Sequence, residues 1–363
     1  MKIKAAVVRE KSGPFTIEDL ELDNPRENEV VVRVAGVGVC HTDLIARDQG
    51  IPLPLPAVLG HEGAGVVEQV GSRVTKVKPG DHVIMTYLTC GTCPSCKQGE
   101  PYLCAEFRGN FIGVRPDGSH TLKKGDEVIS ASWFNQSSFA THALALDRNV
   151  IKAPDDVPIE MLGPLGCGIM TGAGAVFQGF HPRVGTSIAV FGTGALGMSA
   201  ILAAVACGCT KIVAVDIVEE RLNMAIGFGA THAINPSKVD VVAEIQKITG
   251  VGLNFSLDTT GNMKVIAQAV ASLGGGGVCG LAGLAPLDSE LVLPYPTIQP
   301  GRNIKGIVMG TVVPDVFVPQ LIELYKLGRF PFDEMLKFYN FDQINQGVED
   351  SLRGKALKVV IRP

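Results

Sequence analysis

At 363 residues the chain is long for a single core, and two domains are expected. Apolar residues make up 46% and glycines number 43, so a large core with many tight turns is available. A net charge of −4 argues against nucleic acid or an anionic membrane as the main partner. Nine cysteines without a secretory leader point to a reducing cytoplasm, where clustered thiols bind metal more often than they pair.

The first half reads as β-rich. Short β-branched strands are predicted at Lys4–Val8 and Val30–Val34, then at Gly63–Val70 and Asp81–Thr86. Asn24-Pro25, Pro79-Gly80-Asp81 and Pro116-Asp117-Gly118 supply turns, and no long helical period appears before about residue 160. Within this half lie Cys90, Cys93, Cys96 and Cys104, spaced C-x2-C-x2-C-x7-C, with Gly91, Pro94 and Gly99 keeping the segment in turns. Four thiolates this close can close a tetrahedron around one Zn2+. Disulfides fit poorly, because residues three apart rarely reach bridge geometry without strain. An iron–sulfur cluster and plain thiols remain the other uses. A closed four-thiolate site has no open coordination position, so any metal chemistry must use ligands elsewhere.

From about residue 185 strands and helices alternate. Strands are predicted at Thr186–Phe191, Lys211–Val215, Ala233–Asn235, Phe255–Asp258, Val278–Ala282 and Lys305–Met309. Helices are predicted at Met198–Cys207, Glu219–Phe228, Val239–Ile248 and Met263–Leu273. Apolar strands alternating with helices imply a parallel sheet covered on both faces. The uncharged run Ser187–Cys209 is long enough for a membrane span, but its glycines and its strand-like start favour a buried strand–turn–helix. After about residue 295 the texture becomes Pro-rich, ending in a helix near Val316–Leu327 and a strand at Ala356–Ile361.

Gly192-Thr193-Gly194-Ala195-Leu196-Gly197 is a G-x-G-x-x-G that follows an apolar strand, opens a helix and precedes Asp216 at the end of the next strand. Such glycines allow a tight turn, backbone approach to a pyrophosphate and close strand–helix packing, while the helix N-terminus favours phosphate. Asp216 suits the two ribose hydroxyls and repels a 2′-phosphate, so NAD is expected over NADP. Arg221 lies near the ribose or is a solvated helix residue. Three further residues stand out: Cys40 after a Val-rich strand, His61 in Gly60-His61-Glu62-Gly63, and Cys167 between glycines. Together they would make a three-ligand zinc site with an open fourth position. Their spacing alone does not join them, and buried free thiols are the ordinary reading of Cys40 or Cys167 taken singly.

The order Cys40-x-Thr42-Asp43, Gly60-His61-Glu62-x2-Gly65, the four-cysteine run, Cys167 and the glycine fingerprint resembles the medium-chain zinc alcohol dehydrogenases over essentially the whole chain. Within them it is similar to the bacterial aryl-alcohol (benzyl alcohol) dehydrogenases. The resemblance implies a β-rich GroES-like catalytic domain over residues 1–165 and 296–363, carrying the structural zinc lobe at about 88–106. It implies a doubly wound Rossmann domain over 166–295. It implies two zinc ions per chain, one held by Cys40, His61 and Cys167 and the other by the four-cysteine lobe. Glu62 would sit behind the first metal, and Asp43 would fix the histidine tautomer. Thr42 would pass the substrate proton toward the nicotinamide ribose. Thr171 would lie by the nicotinamide, Leu196 belongs to the fingerprint, and His41 and Lys358 would face cofactor phosphates. Ile45 replaces the histidine that ends the proton relay in many members, and Trp133 and Phe134 would line an apolar substrate pocket. The reaction implied is oxidation of primary alcohols, aromatic ones above all, to aldehydes through zinc-promoted alkoxide formation and hydride transfer to NAD. Glutathione-linked formaldehyde dehydrogenase and aliphatic or allylic alcohol dehydrogenase are the neighbouring alternatives. A zinc-free quinone reductase typically lacks the Cys/His/Cys ligands, and a zinc-knuckle module would need no nucleotide domain. A homodimer or homotetramer is expected.

Overall fold

The structure, a computed structural model, describes all residues, Met1–Pro363. The chain divides into two units. One comprises Met1–Cys167, Val313–Pro319 and Asp333–Pro363; the other comprises Gly168–Val312 and Gln320–Phe332.

The first unit is built on two sheets. A five-stranded sheet runs Ala57–Val58, Lys2–Val8, Phe15–Leu22, Leu122–Lys124, Glu127–Ile129, all pairs antiparallel. A seven-stranded sheet is centred on the long strand Glu29–Gly38, which pairs with Gly63–Val70, His142–Leu146 and Lys358–Arg362. The strand Glu29–Gly38 is almost wholly buried, its run Val30, Val31, Val32, Val34 and Val37 filling the core. β-branched side chains suit a pleated, buried surface, so this segment is a strand by composition as well as by pairing.

The second unit holds six parallel strands in the order His232–Ile234, Lys211–Val215, Ser187–Phe191, Leu253–Asp258, Leu273–Leu281, Asn303–Gly306. Numbered within the unit, that is 3-2-1-4-5-6, the doubly wound order with its switch point between Ser187–Phe191 and Leu253–Asp258. Its core joins Phe191, Val213, Val215, Ile245, Leu253, Ile266 and Leu273. Helix boundaries follow local chemistry. Val241–Thr249 starts where Asp240 accepts a hydrogen bond from the Ala243 N–H at 2.9 Å, and it stops at Gly250, whose φ is 78°. The uncharged stretch from Ser187 resolves into a five-residue strand and the helix Ala195–Ala206, and no helix is long and apolar enough to cross a membrane.

The return to the first unit expected at residue 296 is drawn too early. Asn303–Gly306 is the sixth strand of the parallel sheet, in register from Val278↔Asn303 to Leu281↔Gly306. The prolines before it, Pro294, Pro296 and Pro300, break the local periodicity without ending the sheet.

Candidate metal centre and cofactor cradle

In the first unit the strand Glu29–Gly38 runs into Cys40, which caps the short helix His41–Arg47. The Cys40 N–H donates to Asp43 Oδ2 at 3.2 Å, so the first turn and the cysteine are tied together. His61 enters from a tight bend. Gly60 has φ 88°, and a Cβ there would meet the Phe139 backbone nitrogen at 2.5 Å, so only glycine fits. Cys167 follows the short turn Gly163–Gly166, whose last carbonyl accepts a 2.7 Å hydrogen bond from the buried Thr86 hydroxyl. The result brings Cys40 Sγ, a His61 nitrogen, a Glu62 oxygen and Cys167 Sγ within 4.8 Å of one another.

Asp43 decides which histidine nitrogen faces inward. Its Oδ1 accepts from His61 Nδ1 at 2.7 Å, from the Gly60 N–H at 3.1 Å and from Trp133 Nε1 at 2.9 Å. A carboxylate accepts, so His61 Nδ1 carries the proton and Nε2 presents its lone pair. That Nε2 is buried with no hydrogen-bond partner. A buried polar atom left so is costly unless something unseen satisfies it, and two thiols beside it are the donor set zinc prefers. The charges agree. The hydrogen bond from Cys167 and the nearby His61 hold the Cys40 thiol well below its ordinary pKa, and the same contact with Cys40, together with burial, pushes Cys167 up. Burial works against charge on His61, but Asp43 and Cys40 outweigh it and raise its pKa. Zinc binding there would release the proton that the raised His61 pKa favours and free the Nε2 lone pair.

Thr42 Oγ1 lies 3.7 Å from Cys40 Sγ, on the same helical turn. Ile45 sits one turn further, half-buried, and His41 is exposed. Two side chains take partners that the sequence does not show. Lys358, read as a phosphate contact, is only 3% exposed; its ammonium pairs with Glu62 Oε2 at 2.5 Å and donates to the Val39 carbonyl at 3.2 Å. It opens the interior strand Lys358–Arg362, so its charge is buried and needs an anionic partner. Burial pushes the Glu62 carboxyl up to about 7, with Lys358 pulling the other way. Trp133, read as a pocket wall, is 0% exposed and hydrogen-bonded to Asp43, because a buried indole N–H must find an acceptor. Phe134 stacks on His61, ring centroids 4.3 Å apart and 19° from parallel. Gln136 was missed. Its amide donates to the His61 carbonyl at 2.9 Å and accepts from the Gly63 N–H at 3.1 Å, and no motif marks a single buried amide.

The second cysteine cluster also converges, with Cys90, Cys93, Cys96 and Cys104 within the same 4.8 Å limit. The N–H groups of Thr92 and Cys93 donate to Cys90 Sγ at 3.4 and 3.2 Å, and the Cys90 N–H donates to Cys104 Sγ at 3.2 Å. Backbone donors of this kind favour thiolates, and they hold Cys90 down to about 6. None of the nine cysteines forms a disulfide. Both clusters fit zinc, the first with three donors of the Cys/His/Cys kind and the second as a closed four-thiolate site.

In the second unit the three fingerprint glycines do different work. Gly192 has φ 88°, and a Cβ on it would meet Thr259 Oγ1 at 2.5 Å. A Cβ on Gly197 would strike the Gly192 carbonyl at 2.0 Å, so this glycine lets the helix close on the strand. A Cβ on Gly194 would meet nothing within 4 Å. The open space lies at the N-terminus of Ala195–Ala206, where free N–H groups favour phosphate. Asp216 sits at the end of its strand as expected. Its Oδ2 accepts from the Thr193 N–H at 2.7 Å and the Thr193 hydroxyl at 2.9 Å, and its Oδ1 accepts from the Val218 N–H at 3.0 Å. Arg221 Nη1 stands 4.0 Å from Oδ2. One acceptor position on Oδ1 stays open for a ribose hydroxyl. Thr171 lies on the helix Gly168–Gly174, which crosses the fingerprint so closely that a Cβ on Gly172 would meet the Leu196 carbonyl at 2.0 Å.

Comparisons with known proteins agree with this chemistry. The alcohol dehydrogenase GroES-like domain matches residues 26–155, and the zinc-binding dehydrogenase domain matches 195–326. Geraniol dehydrogenase of Castellaniella defragrans is 42% identical over 99% of this chain and 97% of its own. A zinc-binding-domain alcohol dehydrogenase structure from Burkholderia ambifaria is 49% identical with a TM-score of 0.98, covering 100% of this chain and 99% of that one. The benzyl alcohol dehydrogenase structure from Acinetobacter calcoaceticus is 45% identical with a TM-score of 0.97 and the same coverage.

Proposed function

Because the chain belongs to the zinc-binding, NAD-dependent alcohol dehydrogenases with a GroES-like domain, we propose that it oxidises primary alcohols whose carbinol carbon adjoins a π system, benzyl-type alcohols above all. The observation that carries the chemistry is the buried His61 Nε2, without a hydrogen-bond partner, close to two thiols. When bound, zinc supplies Lewis acidity that lowers the pKa of an alcohol hydroxyl, and NAD supplies the hydride acceptor. Cys40, His61 and Cys167 hold the metal, and Asp43 orients His61. Thr42, whose hydroxyl lies 3.7 Å from Cys40 Sγ, takes the substrate proton and passes its own on. With Ile45 next on that helix face, no imidazole relays the proton further along this turn. Gly194, the helix behind it and Asp216 hold the pyrophosphate and adenosine ribose. His41, Thr171, Leu196 and Arg221 complete the cofactor set.

The aromatic preference rests on two supports. Benzyl alcohol and geraniol, the substrates named for two relatives that align with nearly the whole chain, both carry the hydroxyl next to an unsaturated carbon. Phe134 stacks directly on His61, and Phe111 meets Phe134 edge to face at 5.3 Å. A substrate ring packed against such a pair gains about 0.5–1.5 kcal/mol beyond area burial, up to roughly tenfold in kcat/KM. NADH formation with benzyl alcohol, geraniol, hexanol and S-(hydroxymethyl)glutathione tests this. Benzyl alcohol should give the highest kcat/KM, with geraniol within tenfold; preference for hexanol or for the glutathione adduct refutes it.

We also propose that a second copy pairs with the edge strand Asn303–Gly306, in the cytoplasm. All four of its residues are exposed, and Leu287 (97%) and Tyr295 (79%) precede it in the chain. An unpaired edge of this kind seeks a partner strand. Native mass spectrometry should show a dimer or tetramer that Ile304→Pro splits, since proline removes a ladder donor; unchanged assembly counts against this edge.

A further inference from the structure

The segment Trp133–Ser138 is out of proportion to its length. Phe134, Asn135 and Ser137 have φ of 49°, 54° and 47°, a left-handed backbone that non-glycine residues adopt only at a cost. All six residues are buried, and their polar groups are used. The Ser137 hydroxyl takes the Trp133 N–H at 3.0 Å and donates to the Val58 carbonyl at 2.6 Å, and Asn135 Oδ1 takes the Leu146 N–H at 2.9 Å. A strained backbone held by this many bonds is over-determined. What it holds is His61. Phe134 covers one face of the imidazole, Gln136 clamps the backbone on either side of Glu62, and Trp133 Nε1 donates to the same Asp43 oxygen that receives His61 Nδ1.

We infer that Trp133 is a positioning residue for the metal centre: its indole N–H fixes Asp43 Oδ1, which in turn fixes the tautomer and aim of His61. With the N–H present, Oδ1 has three donors from three directions, the Gly60 N–H, His61 Nδ1 and the indole, and the carboxylate has one orientation. Without it, Oδ1 keeps only the Gly60 and His61 donors and Oδ2 the Cys40 N–H, so the carboxylate is held less firmly and His61 loses part of its anchor. Loss of such an outer partner typically weakens a metal site 10–100-fold. The inference rests on reading Cys40, His61 and Cys167 as a zinc site.

Trp133→Phe removes the donor and keeps an aromatic ring, though a smaller one, so packing alone will lower its Tm. The release of each of the two zinc ions to a chelator is followed, together with the absorption spectrum of cobalt placed in the Cys40 centre. The variant should lose zinc from that centre about tenfold faster and shift the cobalt bands, while the four-cysteine lobe releases its zinc at the wild-type rate. Wild-type release and an unmoved cobalt spectrum, with only a lower Tm, would reduce Trp133 to packing and overturn the inference. Trp133 is the single tryptophan of the chain, so the unaltered protein gives an independent reading. Its one indole N–H resonance in 15N-labelled protein should be protected from exchange and should move when the Cys40-centre metal is removed. A freely exchanging or unmoved resonance overturns the inference even where the variant does not fold. An unaltered protein that binds one zinc per chain overturns the metal-site reading itself and this inference with it.

Discussion

A His61→Ala protein is expected to hold one zinc per chain where the wild type holds two, and to oxidise alcohols at least about 10³-fold more slowly. The wild-type centre offers two thiols and one imidazole, close to the three-ligand minimum of catalytic zinc sites. Removing the neutral donor leaves two mutually repelling thiolates, so the centre is emptied rather than reshaped. Metal assistance is worth several kcal/mol of charge stabilisation, and each 1.36 kcal/mol is a factor of ten, hence the size of the loss. Stability also falls. Asp43 is fully buried and keeps the Gly60, Trp133 and Cys40 donors, but the space left by the imidazole strips it of its shortest bond. That costs about 1–3 kcal/mol. The four-cysteine lobe is untouched and serves as an internal standard, so metal analysis reads the His61 centre alone. Two zinc ions in the variant, or activity within tenfold of wild type, would refute the assignment.

Gly194→Val is expected to melt with the wild type and to bind NAD at least about 100-fold more weakly. The contrast with its neighbours gives the prediction its edge. A Cβ on Gly197 would collide with a backbone carbonyl at 2.0 Å and one on Gly192 with a threonine hydroxyl at 2.5 Å, so substitutions there damage the fold before they damage binding. Of the three fingerprint glycines, only Gly194 has an open space where its side chain would be. That space is useful only to a ligand approaching the helix N-terminus. Filling it separates the pyrophosphate from two backbone donors, each charge-assisted bond being worth about 1.5–3 kcal/mol. Together they exceed 3 kcal/mol, or about two orders of magnitude in affinity. Calorimetric Tm and NADH fluorescence titration check the two halves separately. Wild-type affinity in this variant would move the cofactor elsewhere, and a large drop in Tm would make Gly194 structural.

The features that were legible in the chain share one property: the residues concerned lie close together along it. Ser187–Phe191, Lys211–Val215 and Leu253–Asp258 announce themselves as apolar runs because a parallel strand buried on both faces needs no alternation. The glycine fingerprint and Asp216 belong to a single βαβ unit, so its cofactor chemistry is also local. The four-cysteine lobe spans only Cys90–Cys104, and its spacing suits a tetrahedral ion.

The Cys40 centre is different. Its ligands are scattered from residue 40 to residue 167, and only resemblance to a known family joined them. Lys358 reaches the Val39 carbonyl across 319 residues because its strand closes onto Glu29–Gly38. That pairing, invisible in the chain, makes Lys358 the partner of Glu62. In the same way, nothing near Trp133 in the chain reveals that its indole meets Asp43, 90 residues away. The amino-acid sequence by itself determined the parallel sheet, the glycine cradle and the four-thiolate knuckle, since periodicity and ligand spacing act within a few tens of residues. Tertiary structure alone decided which side chains face the Cys40 centre, because strand register and buried hydrogen bonds set that geometry and neither is written in local pattern.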